Sequence, residues 1–191
     1  MALIFLRHTQ PDVDAGVCYG ITDLGLCDGF EADCARIRAR LPIVHRIVSS
    51  PLSRCARLAD ALGSELALPV SLDSRLREMD FGRWEGRPWD DIERVELDAW
   101  AGDFMHARPH GGESVAQLRA RVLEAAVDYD ALGGDSLVVT HAGVIKAAFA
   151  VGDEADAFAL TTPFGGLRRW TADTLRSAAN PGGVVASASM P

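Results

Sequence analysis

Lysine is almost missing from this 191-residue chain: of 19 basic side chains, only Lys146 is not arginine. Biased codon usage accounts for most of that, yet guanidinium groups also suit two-pronged capture of phosphate oxygens. A basic surplus is missing as well. With 27 acidic residues the formal net charge is −8. That excludes nucleic-acid binding by phosphate neutralisation, which needs Lys and Arg massed on one face; it does not exclude a small anionic substrate. Cys18, Cys27, Cys34 and Cys55 have neither Cys-x-x-Cys spacing nor histidines at zinc-finger distance. They read as reduced, mostly buried thiols of a cytoplasmic protein, with no disulfide framework and no structural metal. No run nears the ~18 apolar residues of a membrane span, and Ala2–Leu6 is too short for a signal-peptide core.

What is present has the composition of one globular domain, 48% hydrophobic, able to close a core without staples. The charge is uneven: residues 73–103 hold ten acids against five arginines, whereas residues 1–57 hold six acids against seven arginines. Ala2–Leu6, Arg46–Ser49 and Ser136–Thr140 are short apolar runs of the kind found in fully buried strands, with a further short strand expected at Val70–Leu72. Between them lie helical patterns: Glu31–Leu41 stopped by Pro42, a helix opened by Ser50 as N-cap with Pro51 at its first position, and one from about Val115 to Leu132. The last opens on Ser114-Val-Ala-Gln117, a capping-box pattern. Ala142–Val151 reads as a final helix. Alternating strands and helices predict an α/β fold, a parallel sheet covered on both faces. The stretch 77–109, rich in Trp and acid, carries helix-like pieces around Asp90 and from Val95 to His106 and reads as an inserted lid. Residues 1–176 form the expected domain, and 177–191 a tail or an edge strand near Val184 and Val185.

Two apolar strands run into histidine, at Leu6-Arg7-His8 and Val139-Thr140-His141. Ligands of open α/β sheets bind at the carboxyl ends of strands, so this pattern aims both rings at one crevice. Arg54 sits in the opening turn of the second helix, where free N–H groups and a guanidinium together suit an anion. Glu78 and Asp80 precede Phe81 and Trp84; a carboxyl group held against such rings suits proton donation to a leaving alcohol.

In order along the chain, the segments Leu6-Arg7-His8-Thr9, Ser49 to Arg54, Arg77 to Gly82 with Trp84-Glu85-Gly86, Gly111 to Ser114, and Val138 to Ile145 resemble the histidine phosphatase superfamily. The resemblance covers Leu3 to about Trp170 and implies a three-layer α/β/α sandwich with a mostly parallel central sheet, the phosphoglycerate-mutase-like fold. Arg-His-Thr-x-Pro, Gly16-Val-Cys-Tyr-Gly20, Ser-Pro-Leu-Ser-Arg-Cys55 and Asp80-Phe-Gly-x-Trp-Glu-Gly look most like its α-ribazole phosphatase group of bacterial cobalamin assembly. By resemblance, His8 is the nucleophile, Arg7, Arg54 and a charged His141 bind the phosphoryl oxygens, and Glu78 is the acid and base. Thr9, Tyr19, Gly20, Ala142 and Gly143 are then expected to contact substrate. No cofactor or metal is expected, the only partner is a small-molecule phosphate monoester, and the chain is a monomer or homodimer. Thr9 stands where the broader family has glycine, His110 where proline is common, and Lys146 where arginine is frequent.

Three other readings share these residues: a phosphoglycerate-mutase-type transferase, a metallohydrolase using His8 and His141, and a phosphate-binding module without turnover. A broad-specificity acid phosphatase is the alternative within the same chemistry.

Overall fold

The computed structural model describes residues 2–171. The 177–191 segment, with the edge strand expected near Val184, lies outside them. Five strands, β1 (Ala2–Arg7), β2 (Arg46–Ser49), β3 (Val70–Leu72), β4 (Ser136–Thr140) and β5 (Leu167–Thr171), form one sheet in the order β3-β2-β4-β1-β5. All neighbours are parallel except β5, which runs antiparallel to β1. The helices are α1 (Phe30–Arg38), α2 (Ser53–Leu66), α3 (Arg94–Gly102), α4 (Val115–Ala131) and α5 (Ala142–Phe149).

Strand side chains alternate between faces, and the alternation builds two cores. Ala2, Ile4, Leu6, Ile47, Leu137 and Val139 pack with Cys34 and Ile37 of α1 and Leu58, Ala59 and Leu62 of α2. Leu3, Phe5, Val48 and Val138 pack on the opposite face with Val122, Ala125 and Ala126 of α4 and Val144, Ile145 and Ala148 of α5. Burial on both faces is why these strands are continuous apolar runs, and the result is the expected α/β/α sandwich.

Several boundaries differ from expectation. α1 ends at Arg38 rather than at Leu41. α2 begins at Ser53 with Leu52 as N-cap, so Ser50 and Pro51 precede the helix; the Ser50 hydroxyl has another partner, described below. β5 has no clear sequence signal. Leu167-Arg-Arg-Trp-Thr171 places two arginines in a row, and only Trp170 is fully buried, which blurs the period-two pattern. The Ser114–Gln117 capping box is formed in both directions.

Residues 77–109 fold as two short 3₁₀ turns, Gly82–Trp84 and Trp89–Asp91, followed by α3. This segment has its own apolar cluster of Cys18, Trp84 and Ile92, with Phe81, Trp89, Leu97 and Trp100 packed against it. His110 is buried at its far end, its ring 4.9 Å from that of Trp84 and its Nδ1 accepting the Gly112 N–H at 3.0 Å.

Candidate active site

The sheet register puts the chemistry in a row. Arg7 pairs with Thr140, and Ser49 with Val139, so His8, His141 and Ser50, each the first residue past its strand, lie side by side at the carboxyl edge. The His8 N–H donates to the Thr140 carbonyl and the Ser50 N–H to the Val139 carbonyl, both at 2.9 Å. The His8 and His141 ring centroids are 5.1 Å apart.

His8 is 2% exposed. Its Nδ1 lies 2.6 Å from the Thr9 carbonyl oxygen, which can only accept, so Nδ1 carries the proton and Nε2 keeps its lone pair. Burial drives the His8 pKa down to about 3, opposed in part by the hydrogen bond to the Thr9 carbonyl and helped by the smaller effects of the Arg54 and Arg7 charges. The ring is therefore neutral. His141 is fully buried and its pKa is lowered well below the usual value, by burial first and then by His8, Arg54, Arg121 and Arg7. Without an anion beside it the ring is neutral, whereas the charged His141 expected by resemblance belongs to the phosphate-bound site.

Both arginines are held by backbone carbonyls. Arg54 donates from Nη1 to Thr22 at 2.8 Å and from Nη2 to Gly20 at 2.6 Å. Arg7 donates from Nη1 to Thr162 at 2.8 Å, with its guanidinium 3.8 Å from the Phe164 ring centre. Their Nε groups are buried and unpartnered, so each retains a donor for an incoming anion.

Glu78 follows the 3₁₀ turn Ser74–Leu76 and is 8% exposed. Its Oε1 accepts the Met79 N–H at 3.0 Å and its Oε2 the Gly143 N–H, at the start of α5, at 2.9 Å. A Cβ at position 143 would overlap Oε1, so glycine there lets the carboxylate approach the helix. Arg121 of α4 anchors the segment from behind, donating to the carbonyls of Arg75, Arg77 and Glu78 while pairing with Glu113.

A cavity of about 530 Å³ opens over Arg7, His8 and Glu78. Tyr19, Ala142, Gly143 and Lys146 line it, and Phe81, Trp89, Trp100, Phe104 and Phe158 form its aromatic wall. Thr9 and Gly20, expected to contact substrate, do not line it. The Thr9 carbonyl orients His8, and the Gly20 carbonyl holds Arg54, with Gly20 packed so closely on the Met79 carbonyl that no side chain fits. Trp84 is fully buried and donates to Glu96, so it packs the inserted segment instead of facing substrate.

The contribution of 162–166 has no sequence signal. Gly165 donates to the carbonyls of both Arg7 and His8 at 3.1 and 3.2 Å, and the Phe164 ring lies under the Arg7 guanidinium and is tilted against the His8 ring. Backbone contacts between segments so far apart in the chain leave no mark in local composition. Among the described residues no group of three or more His, Cys, Asp or Glu side chains is placed to hold a metal ion, and no helix is long and apolar enough to cross a membrane.

A glucosyl-3-phosphoglycerate phosphatase of Mycolicibacterium vanbaalenii is 36% identical over 162 residues, covering 76% of this chain and 71% of that protein. The structure of a mycobacterial glucosyl-3-phosphoglycerate phosphatase in complex with VO3 superposes with a TM-score of 0.75 at 29% identity, covering 88% of this chain and 91% of the other. A phosphoglycerate mutase from Thermus thermophilus superposes with a TM-score of 0.70 at 29% identity, covering 88% and 92%. The relatives named as phosphatases support a phosphoric monoester hydrolase. The family model of the histidine phosphatase superfamily, branch 1, matches residues 3–160, and the chain belongs to that superfamily.

Proposed function

We propose that this protein is a metal-independent phosphomonoesterase working through phosphorylated His8. The observation that carries the reading is the His8 ring itself: uncharged, its Nδ1–H committed to the Thr9 carbonyl and its Nε2 lone pair free, beside two arginines with unused Nε donors. Nε2 attacks phosphorus in line, the P–N bond forms, and the bond to the leaving alcohol breaks as Glu78 supplies its proton. Glu78, now a carboxylate, takes a proton from water; the water oxygen attacks phosphorus, the P–N bond breaks, and the electron pair returns to His8. Arg7, Arg54 and His141 stabilise charge on the equatorial oxygens.

The substrate is a small organic phosphate whose alcohol carries a flat, apolar ring system, and α-ribazole 5′-phosphate, as in cobalamin biosynthesis, is the specific assignment. The wall of Phe81, Trp89, Trp100, Phe104 and Phe158 supports it, because such surfaces favour stacking on an aromatic base. A second reading takes the activity named for the mycobacterial relatives. Lys146 lines the cavity with no carboxylate partner among the described residues, which suits a substrate bearing an acid group such as glucosyl-3-phosphoglycerate. Comparing kcat/KM for both compounds and phenyl phosphate separates the readings. The assignment requires α-ribazole 5′-phosphate to exceed phenyl phosphate by about tenfold or more; parity rejects it, and a lead for the glucosyl compound transfers the assignment. Phosphoryl delivery to a second phosphoglycerate in preference to water would mark a mutase instead.

A further inference from the structure

The Ser50 hydroxyl, outside any helix cap, lies 2.8 Å from His141 Nε2, both residues being fully buried. One of its oxygen lone pairs already faces the Leu52 N–H at 3.3 Å. If Nε2–H donated to the same oxygen, the hydroxyl proton would need another acceptor, and the remaining one beside it is the Cys55 sulfur, a much weaker acceptor. The arrangement that gives the Ser50 hydroxyl the stronger acceptor has it donating to Nε2, which leaves the proton on Nδ1.

Cys55 does not compete for the ring. Its sulfur is 3.5 Å from Nε2 and 3.7 Å from Nδ1. A sulfur lying along either nitrogen's lone pair would be far from the other nitrogen, so near-equal distances place it against the ring, off both hydrogen-bonding directions. Nδ1 has no oxygen or nitrogen partner among the described residues.

We propose that Ser50 is a positioning residue that fixes His141 as the neutral Nδ1–H tautomer, so that His141 serves the phosphoryl group as a hydrogen-bond donor and not as a standing cation. The inference rests on the phosphatase reading for its function but on Ser50 geometry alone for the tautomer. Charge at this edge then comes from Arg7 and Arg54, and the Nδ1–H supplies direction. The depressed basicity of His141 among His8, Arg54, Arg121 and Arg7 agrees with a neutral ring.

Two-bond ¹H–¹⁵N correlation spectra of ¹⁵N-histidine-labelled protein, assigned with His141→Gln, read the tautomer directly. Wild type at neutral pH, free of phosphate, is expected to show a protonated Nδ1 and a bare Nε2 at His141. Ser50→Ala is expected to lose that preference and to lower kcat/KM about tenfold or more, while Ser50→Thr retains both. An Nε2–H or imidazolium pattern in wild type overturns the proposal whether or not any variant folds, as does an unchanged His141 pattern in Ser50→Ala. Absence of phosphatase activity with the Nδ1–H pattern intact would instead count against the proposed function.

Discussion

At the scale of single residues, the site is built by backbone groups that hold side chains in one protonation state or direction. The Thr9 carbonyl does so for His8, and the Gly143 amide for Glu78. Gly143→Ala must push Glu78 away from α5, because a Cβ cannot share space with Oε1. General acid help matters when the leaving group is a poor one. Gly143→Ala is therefore expected to lower kcat/KM for an alkyl phosphate by roughly 100-fold, and for an activated nitroaryl phosphate much less. Equal losses on both substrates would show that Gly143 does not act through Glu78.

Neutral buried histidines also set an acid limit on the fold. His8 binds its proton near pH 3 when folded and near the ordinary 6.5 when unfolded. Between those values the unfolded chain holds the extra proton, so this contribution is complete above about pH 6.5 and is lost as pH falls towards 3. The slope is at most about 1.4 kcal/mol per pH unit. In urea titrations between about pH 7 and 5, wild type is expected to lose on the order of 1–2 kcal/mol more than His8→Gln; identical losses would contradict a neutral buried His8.

His8, Arg7, Arg54, Glu78 and His141 were legible because each stands within one or two residues of a strand end, a helix start or a ring-flanked acidic turn. Ser50, Arg121, Thr162 and Phe164 were not: their roles depend on contacts between distant segments, and a serine before proline carries a strong helix-cap signature of its own.

At the scale of elements, boundaries followed local chemistry where no tertiary partner competed. The Ser114–Gln117 box is the plain case. The Gln117 N–H donates to the Ser114 hydroxyl at 3.2 Å, and the Ser114 N–H donates to the Gln117 side chain at 2.9 Å. Ser114→Ala is expected to cost about 1 kcal/mol of unfolding free energy, measured as a lower urea midpoint at unchanged m-value; a change below about 0.3 kcal/mol would mean that α4 is held by packing alone. Where a tertiary partner did compete, the local signal misled. Ser50 turned to His141, and α2 starts later than Ser50-Pro51 suggests. The inserted segment shows both behaviours: its tryptophans announce an apolar unit, but only the fold shows that Trp84 packs it while Trp89 and Trp100 face the cavity.

At the scale of the whole molecule, alternating strands and helices were enough to predict the three layers. The order β3-β2-β4-β1-β5 was not legible, because β4 slots between two strands that both come from the first quarter or so of the chain. That slot is what brings His141 between Ser50 and His8. The net charge of −8 acquires a sharper meaning here. The guanidiniums of Arg7 and Arg54 lie at the sheet edge, while the acid of residues 73–103 gathers in and around the inserted segment. Phosphate capture thus rests on short contacts, with little help from long-range attraction at physiological salt.

The central claim is a phosphoryl group on His8 Nε2, and trapping it is the most direct test. Wild type mixed with substrate, quenched in alkali within one turnover and analysed by peptide mass spectrometry, is expected to carry one acid-labile phosphoryl group on His8, absent from His8→Ala. Single-turnover hydrolysis with no phosphorylated peptide, or with the group on another residue, would contradict the account.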